Sequence, residues 1–196
     1  TTLFDAGAMS VGGSMTFIKK LTASSSGTLT FHHGTSSVIL DSTFKEYLFT
    51  FNNIHPSAVA KLSFQANTVG ASGFNETITS TSFAAYHTED NSATTLEYDG
   101  GQDQAQGTGF QPMCVTGGIN TGNDSSGSGS LHLFNPSSTT FVKHFISRFG
   151  FVGGGDYQTD AYVAGYFNTT AAIDEIQFKL NTGNIDAGDI CLYGIA

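Results

Sequence analysis

The sequence predicts an all-β fold, a jelly-roll-like antiparallel β-sandwich of about ten strands, and three observations predict it. Charged residues make up only 12% of the chain, half the roughly 25% of ordinary domains. Gly, Ser, Thr and Asn fill the polar positions and seventeen Phe supply bulk, a mixture rich in strand and turn formers and poor in helix formers. Short apolar runs also alternate with polar residues at the two-residue period that sorts side chains to opposite faces of a strand. At 196 residues the chain fits one domain, 1–196, with a core that needs no covalent staples.

Residues 15–22 and 28–32 open the series of strands. In 45–51 the aromatic side chains of Tyr47, Phe49 and Phe51 share one face, and 61–66 repeats the pattern with Leu62, Phe64 and Ala66 inward. Both read as half-buried strands. Residues 77–86 and 94–98 follow, then a strand in which Leu131 and Leu133 flank His132. Phe141, Val142, Phe145, Ile146 and Phe149 also fit a helical stripe. The β-branched Thr139, Thr140 and Val142, with Gly150 soon after, favour a strand buried on both sides over a short covering helix. Residues 160–167 come next, and Ile176, Phe178 and Leu180 alternate against Glu175, Gln177 and Lys179. The last strand, 189–195, is apolar on both faces: Ile190 and Leu192 on one, Cys191, Tyr193 and Ile195 on the other. Such a strand belongs in the middle of a sheet or under another copy of the protein. The Gly-rich tract 117–129 reads as a long exposed loop, and 153–156 as a shorter one.

Seven basic against sixteen acidic residues give a net charge of −9, and no segment gathers the basic ones. Nucleic acid and anionic membrane surfaces are therefore not expected as partners. Cys114 and Cys191 are too few for a disulfide-dependent scaffold and are expected as free thiols. The opening residues Thr1 to Gly7 lack the basic and apolar regions of a secretion signal. No window approaches the roughly eighteen apolar residues of a spanning helix, so a soluble protein is expected.

Chemistry is sparsely signalled. His32 and His33 are adjacent, which on a strand turns them to opposite faces, and His55, His87, His132 and His144 lack partners at zinc spacing. Glu89-Asp90, Asp186 with Asp189, and above all Asp99 with Asp103 offer oxygen ligands in turns, without the EF-hand pattern. A hydrophilic hairpin tip is the favoured reading of Asp99–Asp103. No nucleophile elbow or phosphate-binding loop occurs, whereas paired carboxylates for glycoside hydrolysis are placed by the fold and cannot be read from spacing. Tyr157, Tyr162 and Tyr166 beside Gly-rich segments are candidate sugar platforms in a chain without Trp. Asn75, Asn123 and Asn168 begin glycosylation-type triplets, expected to be unused without a secretion signal. The sequence thus predicts no catalytic residue, metal or cofactor.

The stretch 173–195, in which an apolar strand leads into Asn181-Thr182-Gly183-Asn184-Ile185 and ends on Leu192-Tyr193-Gly194, resembles the closing hairpin of tailed-phage virion structural proteins. Residues 47–54 followed by 62–65 resemble that family's early strand pair. Gly183 and Asn184 suit the turn because both tolerate positive φ. The resemblance implies a β-sandwich coat, decoration or tail-associated protein with no catalytic residues. The expected function is a capsid decoration or cement protein on the outer capsid surface of the virion, a homotrimer with its C-terminal strand in or near the subunit contact, partnered by the major capsid protein or other virion proteins. The alternatives are a tail or fibre domain that binds a receptor glycan, and a polysaccharide-degrading enzyme on the same scaffold.

Overall fold

The computed structural model describes residues 14–115 and 117–196; the opening stretch Thr1 to Gly7, read above for a secretion signal, lies outside them. Thirteen antiparallel strands form two sheets packed as a sandwich, with no helix among the described residues. The strands are β1 (Met15–Thr22), β2 (Leu29–His32), β3 (Glu46–Pro56), β4 (Leu62–Thr68), β5 (Ile78–Thr88), β6 (Thr94–Tyr98), β7 (Ala105–Gly107), β8 (Gln111–Pro112), β9 (Gly127–Phe134), β10 (Lys143–Gly153), β11 (Tyr157–Phe167), β12 (Ile173–Leu180) and β13 (Ile185–Ile195). Nine strands make the larger sheet, in the order β1-β13-β3-β9-β10-β11-β5-β6 with β7 also paired to β5. The smaller sheet runs β2-β12-β4-β8.

Phenylalanine rings fill the space between the sheets. Phe178 of β12 lies 5.2–5.3 Å from Phe51 and Phe49 of β3, and Phe64 of β4 meets Phe145 of β10 edge-on at 5.0 Å. Edge-to-face packing lets the positive rim of one ring meet the negative face of the next. Such bulk needs small residues opposite it. Gly165 faces inward on β11, and a Cβ there would stand 2.7 Å from the Phe145 ring and 2.8 Å from the Ser80 side chain.

Four expectations are corrected. The 141–149 segment is a strand with one face inward: Lys143, Phe145, Ser147 and Phe149 are buried, while His144, Ile146 and Arg148 are exposed. Only the smaller sheet lies across it, so one face is enough. Strand β4, expected to be half-buried, is covered on both faces because loops fold over its Ser63, Gln65 and Asn67 side. The tract 117–129 is not a free loop. Ile119 is fully buried and bridges Ala60 and Gly153, and β9 begins at Gly127. Finally, the closing hairpin is an arch. β12 pairs with β2 and β4, whereas β13 pairs with β1 and β3 in the other sheet. Crossing between sheets brings Ile176 and Phe178 to the core from one side, and Ile190 and Leu192 from the other. The early pair β3 and β4 divides between the sheets in the same way. At the arch Gly183 alone takes the positive φ, 69°, and the Asn184 N–H instead donates to Ser57 Oγ at 2.8 Å.

Candidate functional site

Two surfaces combine exposure with organised side chains. The first is the outward face of the nine-stranded sheet. Register places its side chains in lateral rows, one running Thr81, Ala164, Ile146, His132, Leu48, Tyr193, Phe17 across β5, β11, β10, β9, β3, β13 and β1. The next row runs Tyr98, Phe83, Tyr162, Arg148, Ser130, Thr50, Cys191, Lys20. Ile146 is 52% exposed, Phe17 56%, Phe83 42% and Leu96 76%, so this face carries most of the large exposed apolar side chains.

Two ion pairs and one histidine–carboxylate hydrogen bond lie on it. Arg148 and Asp160 form a two-pronged pair closing to 2.8 Å, His132 meets Glu46 at 2.5 Å, and Lys20 meets Asp189 at 3.2 Å. The Arg148 hydrogen bonds hold the Asp160 carboxyl below its ordinary value, and the Thr22 and Lys20 donors do the same for Asp189. Charge pairing on the face contrasts with the net −9 of the whole chain.

The second surface is a cleft of about 290 Å³ on the inward side of the large sheet, lined by Tyr86, Thr88, Ala93, Glu97, Val115, Tyr157 and Thr159. Inward-facing positions of β5, β6 and β11 meet there with Val115. The Tyr86 and Tyr157 rings are tilted against each other at 5.5 Å. Burial raises the Tyr157 hydroxyl pKa above its ordinary value. Thr159 is 1% exposed and its hydroxyl has no hydrogen-bond partner within the protein.

The three sugar-platform candidates separate. Tyr162 is already occupied on both faces: Phe83 stacks on one at 4.9 Å with the planes 2° apart, and the Arg148 guanidinium lies 5.2 Å from the ring centre. Tyr166 meets His144 edge-on. Tyr157 lines the 290 Å³ cleft, and Tyr166 lines a shallow trough with Thr79, Thr81 and Ile146.

The histidines are engaged locally. His33 Nδ1 accepts from the Leu40 N–H, His55 donates to the Ser125 carbonyl, and His32 faces Glu175 at 3.8 Å. Among the described residues no three His, Cys, Asp or Glu side chains converge as metal ligands. Asp99 caps its own hairpin turn through the Gly101 N–H, and Asp103 accepts from the Tyr98 hydroxyl. Asp186 accepts from Ser25. Both cysteines are free and buried, and burial pushes the Cys114 thiol up to about 12. The cleft presents one carboxylate, Glu97, where glycoside hydrolysis draws on two flanking the bond.

Sequence reasoning missed Glu97, Tyr86 and Thr159 because they come from three strands whose juxtaposition no spacing encodes. The outward row through Ile146 did carry a signal, the alternation of 143–149, once the helical stripe is set aside. Comparison with protein-family models and with curated proteins finds no match to this chain.

Proposed function

We propose that the protein is a structural component of a tailed-phage virion, a capsid decoration protein that docks on the outer shell as a homotrimer through the outward face of its nine-stranded sheet. The observation that supports this reading most is the combination on that face of exposed apolar side chains with the ion pairs Arg148–Asp160 and Lys20–Asp189. Eight strands at about 4.8 Å spacing, with four rows of outward side chains about 7 Å apart, span roughly 700–1,100 Å². A standard protein interface takes about 800 Å² from each partner. Docking hides apolar area from water, so opening the shell must expose it again. Elsewhere the acidic surface keeps copies apart and keeps the protein off packaged nucleic acid. The likeness of 173–195 to virion proteins points the same way.

Counting copies per particle by quantitative mass spectrometry tests the proposal. A copy number matching the threefold positions of the shell supports it, and a handful of copies, as for a tail part, overturns it.

A further inference from the structure

We propose that β6, the open edge of the nine-stranded sheet, takes up one further strand: an extended segment of another polypeptide that carries Lys or Arg opposite Glu97. This does not rest on a place in a virion, since it follows from the chemistry of the edge.

The main chain provides the first half of the site. β6 pairs with β5 alone, Thr94 to Tyr98 against His87 to Phe83, without a register shift. The Thr88 N–H donates to the Ala93 carbonyl and the Asp99 N–H to the Ser82 carbonyl. Antiparallel alternation therefore turns the main-chain groups of Thr95 and Glu97 toward β5 and those of Thr94, Leu96 and Tyr98 away from it. No described segment pairs with that free side. Sheet edges are normally guarded by lysine, proline, bulges or shortness. At the opposite edge β1 carries Lys19, Lys20 and a register shift between Phe17 and Lys19. In the smaller sheet β8 ends in Pro112, and β2 is four residues long with Phe31 fully buried. β6 has no Lys, no Pro and no bulge, and its Leu96 and Tyr98 side chains are 76% and 60% exposed. Such an edge is the template used in strand addition.

Charge names the partner. Glu97 is exposed and forms no ion pair among the described residues. The turns at the two ends of β6 add Glu89, Asp90, Asp99 and Asp103, and the chain has no Lys or Arg from 62 to 142. A second copy of β6 is the wrong occupant, because a twofold axis at Leu96 would bring the carboxylates of both copies to one seam. In an added antiparallel strand the residue opposite Glu97 falls in a non-hydrogen-bonded pair, where side chains stand closest. A Lys or Arg there meets Glu97 directly, and apolar residues opposite Leu96 and Tyr98 cover both.

The probe is the fluorescein-labelled peptide Ser-Val-Arg-Ile-Thr-Val-Ser, whose Arg, Ile and Thr would lie opposite Glu97, Leu96 and Thr95, titrated with the whole protein by fluorescence polarisation. Saturable binding is expected. N-methylation of the peptide's Ile, whose N–H would bond to Leu96, should weaken it about tenfold, whereas N-methylation of its Thr, whose N–H points away from β6, should not. Glu in place of the peptide's Arg should weaken binding to the wild type, and Glu97→Lys should reverse that preference. Leu96→Pro removes an N–H that β5 does not use, a change that edge strands tolerate, and should abolish binding; Glu97→Lys carries the test if the proline variant does not fold. Ile146→Asp, on the proposed docking face, should bind the peptide as the wild type does, so failure of the docking reading and failure of strand addition are read separately. No saturable binding, equal weakening by the two N-methyl groups, or an unchanged preference in Glu97→Lys overturns the proposal. Self-association of the wild type that Leu96→Pro removes overturns it in favour of a second copy.

Discussion

The two outward faces of the sandwich are finished in opposite ways. Over the four-stranded sheet the chain's own loops close the surface. Gln65 donates to the carbonyls of Glu76 and Gly109, both at 2.9 Å, while its Oε1 accepts from the Ala66 N–H. Asn67 accepts from the Phe74 N–H and donates to Glu175, each at 2.8 Å. The Lys179 ammonium sits 4.0 Å from the centre of the Phe110 ring. Over the nine-stranded sheet no described segment lies across the rows, although Ile146, Phe17 and Phe83 are apolar. Loops thus cover the polar face and leave the apolar one to water. That arrangement is the one the proposed docking surface requires.

The largest effect is expected where the covered face is unpicked. Gln65→Leu keeps the volume but strips partners from two loop carbonyls and a strand N–H, and each buried group left unpaired costs about 1–3 kcal/mol. A loss of about 3 kcal/mol in urea unfolding is expected. A loss below about 1 kcal/mol would mean that the loops rest on the sheet without being held by it. Gly165→Ala probes the core beneath the open face. The added methyl would stand 2.5 Å from the Thr79 backbone carbonyl oxygen as well as against the Phe145 ring and the Ser80 side chain, so the paired strands must shift, and overpacking of this kind typically costs about 1–3 kcal/mol. A loss of about 2 kcal/mol with an unchanged denaturant slope is expected.

How far these features could be read from sequence follows the range of the interactions involved. Strand alternation is local, so Tyr47, Phe49 and Phe51, and equally Ile176, Phe178 and Leu180, declare their inward faces without help, and two strand spans, 15–22 and 94–98, coincide with the structure. Gln65 and Asn67 occupy positions that alternation assigns to solvent. Their burial depends on loops around 74–76 and 108–110 folding back, a tertiary event with no local period. The short strands β7 and β8 went unread because three and two residues are too few to show alternation. The arch at Gly183 has the composition of a hairpin turn, since turn chemistry specifies a reversal and not whether the returning strand rejoins its sheet. In the candidate cleft, Tyr157 was legible as an aromatic beside glycines. Glu97 and Thr159 were not, since their proximity exists only after β6 and β11 flank β5.

A smaller effect lies on the inward side of β10. Lys143 is buried, with its ammonium donating to the carbonyls of Phe141 at 2.8 Å and Thr169 at 3.1 Å. Burial lowers its pKa from 10.5. A lysine with a lowered folded-state value weakens the fold while both states are protonated. As pH rises through the folded value the native form releases its proton first, so the lysine's contribution improves up to 10.5. Unfolding free energies of the wild type and Lys143→Met, measured from neutral pH upward, should differ by an amount that shifts in favour of the wild type as pH increases. A flat difference would show that the two carbonyls offset the burial fully.

The smallest effect on stability belongs to the open face, and there it carries the most functional weight. Ile146 projects outward between His132 and Ala164 and is half exposed, so Ile146→Asp removes little that the monomer uses. A change within about 0.5 kcal/mol is expected for a surface position of this kind. The same aspartate would bring an unpaired charge into any interface formed there, and desolvating it costs several kcal/mol. Tyr193→Asp makes the comparison on β13. Tyr193 is half-buried on the same outward face, edge-on to Phe17 at 5.6 Å, while Ile190 and Leu192 take the core side of the strand. Both variants should therefore stay folded by circular dichroism and become monomeric by light scattering, where the proposal expects a trimeric wild type, and both should fail to bind shells stripped of the protein. Unfolding of Tyr193→Asp with Ile146→Asp still oligomeric would move the contact off this face. A wild type that is monomeric at high concentration and when released from particles would remove the trimer.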